Sequence, residues 1–225
     1  MNIFKNFIFD LDGTIIDSSI DIIESLKLSY EKSNIKCPDN SVNTTLIGPP
    51  IEKIIQKITP NLKSSEIDLI VSNYRKIYNT GSLSNTQFYK GLKELITGLK
   101  KENDIKMFIA TNKPIKATAK LLCLLDINIF DDIATIDAVN DKLLSKSEMI
   151  EFIIQKWNLS VKNTVMIGDS IGDIEAASSN KIKSVAALYG YEGNKKLLKD
   201  KADYCADTPE DLINLLNKRE YAIKG

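Results

Sequence analysis

Two aspartates, Asp10 and Asp12, lie two positions apart directly behind an apolar run, in the stretch FIFDLDGTIID (residues 7–17). In an extended chain, residues i and i+2 point to the same side, so both carboxylates can face one site while Leu11 faces the core. Read alone, the stretch could be a tight turn, because aspartate and glycine are common turn residues. A buried strand has no packing reason to end in two anions, however, and this favours a chemical role.

A second polar cluster, Thr111-Asn112-Lys113-Pro114, follows the apolar run IKMFIA. Thr111 supplies a hydroxyl at the end of that run. Pro114 suits the opening of a helix, where free backbone N–H groups favour an anion. A lone threonine is more often a surface or capping residue, so this cluster indicates a functional site only in combination with the other clusters.

A third polar cluster, GDSIGD (residues 168–173), follows the apolar run NTVMI and contains Asp169 and Asp173. Two carboxylates four positions apart can share one face of a helix that begins there. The same stretch is also typical of a helix N-cap. It is not a nucleotide-binding P-loop, because no Gly-Lys-Ser/Thr follows. Lys146 begins the helix that leads into this run, with Lys142 as an alternative.

Alternating strands and helices are predicted to position these clusters. Leu92, Leu95, Ile96 and Leu99 follow a helical period, as do Ile150, Ile153, Ile154 and Trp157. The alternation predicts an α/β fold with a Rossmann-like parallel sheet and helices on both faces. In such sheets ligands bind beyond the carboxyl ends of the strands, which is where the three clusters fall. The predicted strands are IFKNFIF (3–9), IKMFIA (105–110), DDIATID (131–137), NTVMIG (163–168) and IKSVAAL (182–188), and a helix over 208–217 closes the chain.

Residues 16–84 interrupt this alternation. Only helical patterns occur there, at about 19–34, 50–58 and 64–78, and the turn-rich piece LIGPPI precedes the second of them. An all-helical segment inserted after the first strand predicts a cap domain over 16–84. The core domain then consists of residues 1–15 and 85–225.

The composition limits the function classes. Lysine plus arginine and aspartate plus glutamate balance at 30 each, so no basic surface for nucleic acid or an anionic membrane is expected. There is no histidine, which excludes Ser-His-Asp and Cys-His catalysis and most zinc sites. The odd set of Cys37, Cys123 and Cys205 predicts reduced thiols in a cytoplasmic protein. No apolar run is long enough for a signal peptide or a membrane span.

Four carboxylates that converge on one crevice would repel each other unless a cation lies among them. Oxygen ligands without histidine or cysteine favour Mg²⁺ over zinc or copper. A divalent cation, a lysine, a threonine hydroxyl and helix N-termini together indicate a phosphate-binding site. The remaining carboxylate is then free to act as a nucleophile and form an aspartyl-phosphate.

The motifs DLDGT, ATNKP, SKSEMI and GDSIGD, in this order and with a helical insertion after the first, resemble those of the haloacid dehalogenase superfamily of hydrolases. The resemblance spans nearly the whole chain and is of the helical-cap type. It is nearest to the phosphoglycolate phosphatase-like members, whose substrate-facing cap loop and helix are similar to IGPPIEKII (47–55).

The resemblance implies a role for each matching residue. Asp10 would be the nucleophile, and Asp12 the general acid and base. Thr111 and the adjoining amide of Asn112 would bind the phosphoryl group, and Lys146 would neutralise the charge of that group and of Asp10. A lysine–proline pair is common in relatives where this chain has Lys146-Ser147. The implied Mg²⁺ ligands are Asp10, Asp169, the backbone carbonyl of Asp12 and, close by, Asp173, while Gly48 in the cap loop is the implied contact to the substrate.

The sequence therefore predicts a Mg²⁺-dependent phosphatase that hydrolyses a small phosphorylated metabolite, such as phosphoglycolate, a nucleoside monophosphate or a sugar phosphate. A phosphomutase similar to β-phosphoglucomutase is the alternative enzyme, and a non-catalytic phospholigand sensor the alternative binding protein. Dehalogenase activity is disfavoured, because those relatives lack the second aspartate. Phosphonatase chemistry would need a desolvated cap lysine, and nothing marks Lys53 or Lys57 as one. A monomer or homodimer is expected.

Overall fold

A computed structural model describes residues 4–38, 41–139 and 142–218 of the chain. Strands and helices alternate along most of it. The strands are β1 (Asn6–Phe9), β2 (Ile16–Asp17), β3 (Gln87–Phe88), β4 (Lys106–Thr111), β5 (Asp132–Thr135), β6 (Thr164–Gly168), β7 (Lys183–Ala187) and β8 (Tyr204–Ala206). The helices are α1 (Ser19–Lys32), α2 (Ile51–Ile58), α3 (Ser64–Thr80), α4 (Leu92–Lys100), α5 (Ile115–Leu124), α6 (Lys146–Trp157), α7 (Ile171–Ser179), α8 (Lys195–Lys201) and α9 (Pro209–Lys218).

Six of the strands form one parallel sheet in the order β5-β4-β1-β6-β7-β8. The chain builds the sheet outward from β1 in one direction through β4 and β5, and then in the other through β6, β7 and β8. Strand β1 is therefore the point at which the strand order reverses. Phe9, its last residue, lies level with Ile109 of β4 and Ile167 of β6, which aligns the carboxyl ends of all three strands.

Helices cover both faces of this sheet. Phe7 and Phe9 pack in a hydrophobic cluster with residues of α4, α5 and α9, whereas Ile8 between them packs with residues of α6 and α7. This alternation follows from the strand geometry, in which successive side chains point to opposite faces. The predicted α/β fold with helices on both faces is confirmed.

The segment between β2 and β3, residues 18–86, is here called the helical insertion. It contains α1, α2 and α3, which share a hydrophobic cluster of their own. The antiparallel pair of β2 and β3 joins the two points where the chain leaves the core and returns to it. The domain division at 15/16 and 84/85 remains a prediction, although this arrangement is compatible with it.

The predicted elements fall close to the observed ones, with ends shifted by one to three residues in most cases. Thr208 caps α9 and Pro209 is its first residue, as predicted. The patterns gave no indication of β2, β3, β8 or α8, each of which is short. The start of the first predicted strand, residue 3, lies outside the described residues. None of the helices in the described part of the chain has the length and apolarity needed to cross a membrane.

Candidate active site

The three predicted polar clusters meet at the carboxyl end of the sheet. Asp10 directly follows β1, Thr111 ends β4, and Asp169 directly follows β6. Since β4 and β6 flank β1 in parallel, their ends lie side by side at the point where the strand order reverses. Sheet topology therefore brings Asp10 and Asp169 together although they are far apart in sequence.

Asp10 and Lys146 form a buried ion pair. The Nζ of Lys146 donates to Oδ1 of Asp10 at 2.7 Å and to the carbonyl oxygen of Ala110 at 2.9 Å, and lies 2.9 Å from Oδ1 of Asp173. Lys146 is the first residue of α6, whose start is fixed by a reciprocal capping box between Ser145 and Glu148. Helix capping thus sets the position from which the lysine reaches Asp10.

The alternative lysine, Lys142, points elsewhere. Its Nζ pairs with Glu148 at 2.5 Å on the exposed side of α6. Both groups are well exposed to solvent, where such pairs contribute little. The structure therefore places Lys146, and not Lys142, beside Asp10.

Asp173 combines two contacts at the start of α7. One carboxylate oxygen accepts from the amide and hydroxyl of Ser170, which completes the capping box of this helix, and the other faces Lys146. Asp169 precedes the helix, so the two aspartates do not share a helix face as predicted. The N-cap interpretation of GDSIGD is confirmed, and its role in a cation or phosphate site remains a prediction.

Asp169 is buried and lies against Gly13 of the first motif. Its two oxygens accept from the Thr14 hydroxyl at 3.3 Å and the Tyr191 amide at 2.7 Å. Gly13 has a φ of +81°, and a Cβ at this position would overlap the Asp169 carboxylate. Glycine is thus required here both by the backbone conformation and by the close approach of Asp169.

Burial and mutual repulsion disfavour the charged forms of these carboxyl groups. Burial, together with the nearby Asp173 and Asp12, raises the pKa of Asp10 to about 7, although Lys146 opposes this shift. Burial and the charges of Asp10 and Asp173 raise the pKa of Asp169 well above its usual value. For Lys146, burial disfavours the ammonium, but the attraction of Asp10 and Asp173 outweighs it and raises the pKa.

The carboxylates of Asp10, Asp169 and Asp173 fit a hard divalent cation. One oxygen from each lies within 4.8 Å of the others, and all three residues are buried. Within the described part of the chain, Asp169 has no ion pair with a lysine or arginine. A trio of buried oxygens with too little compensating positive charge is a donor set suited to Mg²⁺.

Asp12 lies outside this trio and points to a second buried lysine. Its Oδ2 is 3.1 Å from Nζ of Lys113, and its Oδ1 accepts a short hydrogen bond from the hydroxyl of Ser18. Lys113 also donates to the hydroxyl of Tyr78 at 3.0 Å. Lys113 belongs to the TNKP cluster of the sequence analysis, but no role was predicted for it. No motif or spacing pointed to Ser18 or Tyr78.

Thr111, Asn112 and Gly48 line a cavity of about 70 Å³ together with Asp10 and Asp12. The side-chain amide of Asn112 donates to the carbonyl oxygen of Gly48 at 2.8 Å, which ties the core to the loop before α2. A larger cavity of about 700 Å³ shares Gly48 and Asn112 and extends past Lys146. Most of the predicted site residues therefore line these two cavities between the sheet and the helical insertion, while Asp169 and Asp173 lie beside Asp10.

Comparison with known proteins agrees with this geometry. The family model described as haloacid dehalogenase-like hydrolase matches residues 7–187, from the strand before Asp10 to the end of β7. The chain is 28% identical over 213 residues to a phosphoglycolate phosphatase of Aquifex aeolicus, covering 93% of this chain and 95% of that protein. It is 24% identical over 205 residues to a 5'-nucleotidase of Pseudomonas aeruginosa, covering 91% and 92%.

Solved structures share the whole architecture. The crystal structure of a predicted phosphatase from Clostridium acetobutylicum superimposes with a TM-score of 0.83 at 25% identity. The superposition covers 96% of this chain and 99% of the Clostridium chain. The similarity thus includes the helical insertion as well as the sheet.

Proposed function

We propose that this chain, which belongs to the haloacid dehalogenase-like hydrolase family, is a Mg²⁺-dependent phosphatase that acts on small phosphomonoesters. The observation that carries the proposal is the pairing of Asp10 with Lys146 beside the carboxylates of Asp169 and Asp173, at a cavity that Asp12 and Thr111 also line. The phosphatase names of the relatives from Aquifex and Clostridium point the same way.

In the first step, a carboxylate oxygen of Asp10 attacks the phosphorus of the substrate. The bond between phosphorus and the ester oxygen breaks, and the proton of the Asp12 carboxyl group passes to the departing oxygen to give an alcohol. The products of this step are the free alcohol, an aspartyl-phosphate at Asp10 and the carboxylate of Asp12. Lys146 lies 2.7 Å from the attacking carboxylate and stabilises its anionic form.

In the second step, water attacks the phosphorus of the aspartyl-phosphate. The Asp12 carboxylate takes a proton from this water, and the bond between phosphorus and Asp10 breaks. Inorganic phosphate leaves, the Asp10 carboxylate is regenerated, and Asp12 is again protonated. Asp12 thus acts once as an acid and once as a base.

Thr111 and Asn112 are suited to orient the phosphoryl group. Thr111 is buried at the end of β4, and its hydroxyl oxygen accepts from the amide of Lys113 at 3.2 Å. The hydroxyl proton is then available to an oxygen of the substrate. In phosphoryl transfer, positioning and electrostatic stabilisation supply most of the rate.

Mg²⁺ would be held by Asp10, Asp169 and the backbone carbonyl of Asp12, with Asp173 beside them. When bound, it offsets negative charge on these carboxylates and on the phosphoryl oxygens. The buried carboxylate of Asp169, which lies beside Asp10 and Asp173 and whose pKa is raised chiefly by burial, is the feature that supports this assignment.

The substrate class is a small phosphorylated metabolite, with phosphoglycolate and nucleoside monophosphates as the first candidates. Both follow from the names of the relatives from Aquifex and Pseudomonas. The leaving group would occupy the cavity of about 700 Å³ between Lys146 and the start of α2. Lys53 and Lys57 of α2 line that cavity together with Glu52 and Glu192, so both charge signs are present.

The deciding experiment measures phosphate release from phosphoglycolate, nucleoside monophosphates and sugar phosphates, with Mg²⁺ or with EDTA. We expect Mg²⁺-dependent release by the wild type and none by Asp10→Asn, which keeps the shape of the side chain but not its nucleophilic charge. No release from any substrate by folded protein would overturn the proposal. Product isomerisation without net release would instead support the phosphomutase alternative, and binding without turnover the sensor.

A further inference from the structure

Lys113 is a buried cation whose contacts come from two parts of the molecule. Its side chain is 6% exposed, and its Nζ lies 3.1 Å from Oδ2 of Asp12. On its other side, the same Nζ donates to the hydroxyl of Tyr78 at 3.0 Å and lies 4.4 Å from the centre of that ring. A buried ammonium is stable only if such partners replace its water. One of the two partners belongs to the core and the other to the helical insertion.

The Asp12 carboxylate is held at both oxygens. The Ser18 hydroxyl donates to Oδ1, and the Lys113 ammonium faces Oδ2. The terminal torsion of an aspartate side chain is broad, so a carboxylate without such partners samples many orientations. Two donors on opposite oxygens select one of them, and each oxygen keeps a second lone pair that can carry the proton for the leaving group.

Tyr78 is supplied by the last helix of the insertion, close to the point where the chain returns to the core. It is 2% exposed, and its ring stacks on that of Tyr74 at 5.6 Å. Tyr74 in turn lines the cavity that contains Asp10 and Asp12. Any movement of α3 away from the core would take the hydroxyl and the ring away from Lys113.

We propose that Lys113 is a positioning residue for Asp12, and that Tyr78 holds Lys113 in place only while the helical insertion is seated on the core. The proton-transferring carboxylate is then oriented for reaction when the site is covered and becomes free to rotate when it is open. This inference rests on the proposed function, because it assigns Lys113 to the proton transfers of Asp12. Lys113 acts through Asp12 and has no covalent step of its own.

A second lysine of the same core segment provides a matched control. Lys120 on α5 donates to the carbonyl oxygens of Tyr78 at 3.2 Å and Asn79 at 3.0 Å, and makes a short hydrogen bond to that of Gly81. It therefore ties the core to the end of α3, as Lys113 does through the Tyr78 hydroxyl. Unlike Lys113, it has no contact with Asp12 among its hydrogen bonds. Replacing it tests the loss of a lysine link between core and insertion.

The test compares kcat/KM of Lys113→Met and Lys120→Met on two Mg²⁺-supported substrates, an alkyl phosphate and p-nitrophenyl phosphate. The p-nitrophenolate anion leaves readily without protonation, whereas an alkoxide needs the proton of Asp12. We expect Lys113→Met to lower kcat/KM by about 10- to 100-fold for the alkyl phosphate and by less than about threefold for p-nitrophenyl phosphate. Lys120→Met should change kcat/KM by the same factor for both substrates.

Two further variants keep the test decisive if Lys113→Met folds poorly. Lys113→Arg keeps the charge and should restore part of the alkyl phosphate activity. Tyr78→Phe keeps the ring but removes the hydroxyl, and should lower alkyl phosphate turnover selectively, though less than Lys113→Met. If these variants lose kcat/KM equally for both substrates, the inference is wrong. It is also wrong if Lys120→Met loses kcat/KM selectively for the alkyl phosphate.

Failure of this inference is distinguishable from failure of the proposed function. If the wild type releases phosphate and Asp10→Asn does not, the phosphatase proposal holds whatever the Lys113 variants show. If the wild type releases none, the phosphatase proposal fails, and the assignment of Lys113 to proton transfer fails with it.

Discussion

Asp10 and Asp12 are separated by one residue, yet their carboxylates belong to differently built halves of the site. The core half consists of Asp10, Lys146, Asp169 and Asp173, all on elements of the parallel sheet and its helices. The insertion half consists of Asp12, Lys113, Ser18 and Tyr78, of which Ser18 and Tyr78 come from the two ends of the helical insertion.

The two halves depend on different parts of the fold. In the core half, strand ends, helix caps and the contacts of Asp169 with Thr14 and Tyr191 hold the groups, and none of these partners belongs to the insertion. In the insertion half, the orientation of Asp12 depends in part on Ser18 and Tyr78 of the helical insertion. The difference teaches that the groups proposed for attack and cation binding are held by the core, whereas the group proposed for proton transfer also contacts the helical insertion.

The largest effect is expected in the core half, from Lys146→Met. Loss of this ammonium leaves Asp10 and Asp173 buried side by side without their cation, and we expect kcat/KM to fall by about 100-fold or more. Lys142→Met is the matched control and should retain wild-type turnover, because the ion pair of Lys142 in the described part of the chain is with Glu148 at the exposed surface. Similar losses in both variants would remove the distinction between the two lysines.

Cation binding provides a test of the core half that does not require turnover. Mg²⁺ at a hundredfold excess over its Kd should stabilise the wild type by about 2.7 kcal/mol, measured by thermal unfolding with Mg²⁺ or EDTA. Asp169→Asn should abolish this shift, because it removes a buried ligand from the trio. Asp104→Asn, at an exposed ion pair with Lys5, should leave it intact. If Mg²⁺ stabilises Asp169→Asn as much as the wild type, the cation binds at another place.

A smaller effect is expected in the insertion half, from Ser18→Ala. Ser18 precedes α1 but makes no side-chain capping bond to it, so this change removes mainly the donor to Asp12. We expect kcat/KM for alkyl phosphates to fall about tenfold, the equivalent of one hydrogen bond to a charged group. Turnover of p-nitrophenyl phosphate should change less. An unchanged ratio between the two substrates would show that Asp12 does not need this contact.

The smallest effect is expected from Asn112→Ala, which breaks the hydrogen bond from the core to the carbonyl of Gly48. Such a bond contributes about 0.5–1.5 kcal/mol, so we expect KM to rise roughly 2- to 10-fold. The unfolding temperature should change little, because the bond lies at the cavity wall and not in a hydrophobic cluster. A loss in kcat as large as that of Lys146→Met would contradict the assignment of Asn112 to substrate positioning.

The core half could be predicted from the sequence to a large extent. Asp10, Thr111 and Asp169 each follow an apolar run, and a parallel sheet necessarily gathers the ends of such runs at one edge. The absence of histidine and the four carboxylates in these clusters then indicated a hard cation. The roles of these residues as nucleophile, phosphate ligand and Mg²⁺ ligands remain predictions for the experiments above.

The tertiary structure decided between Lys146 and Lys142 as the partner of Asp10, and only it showed what holds Asp12. Lys146 contacts Asp10 across 136 positions and Lys113 contacts Tyr78 across 35, separations that no local pattern encodes. The insertion half in particular depends on how three helices with their own hydrophobic cluster sit against the sheet. Periodicity can predict each helix from its neighbours in sequence, but the relative placement of two packed bodies follows from the surfaces that they bury against each other.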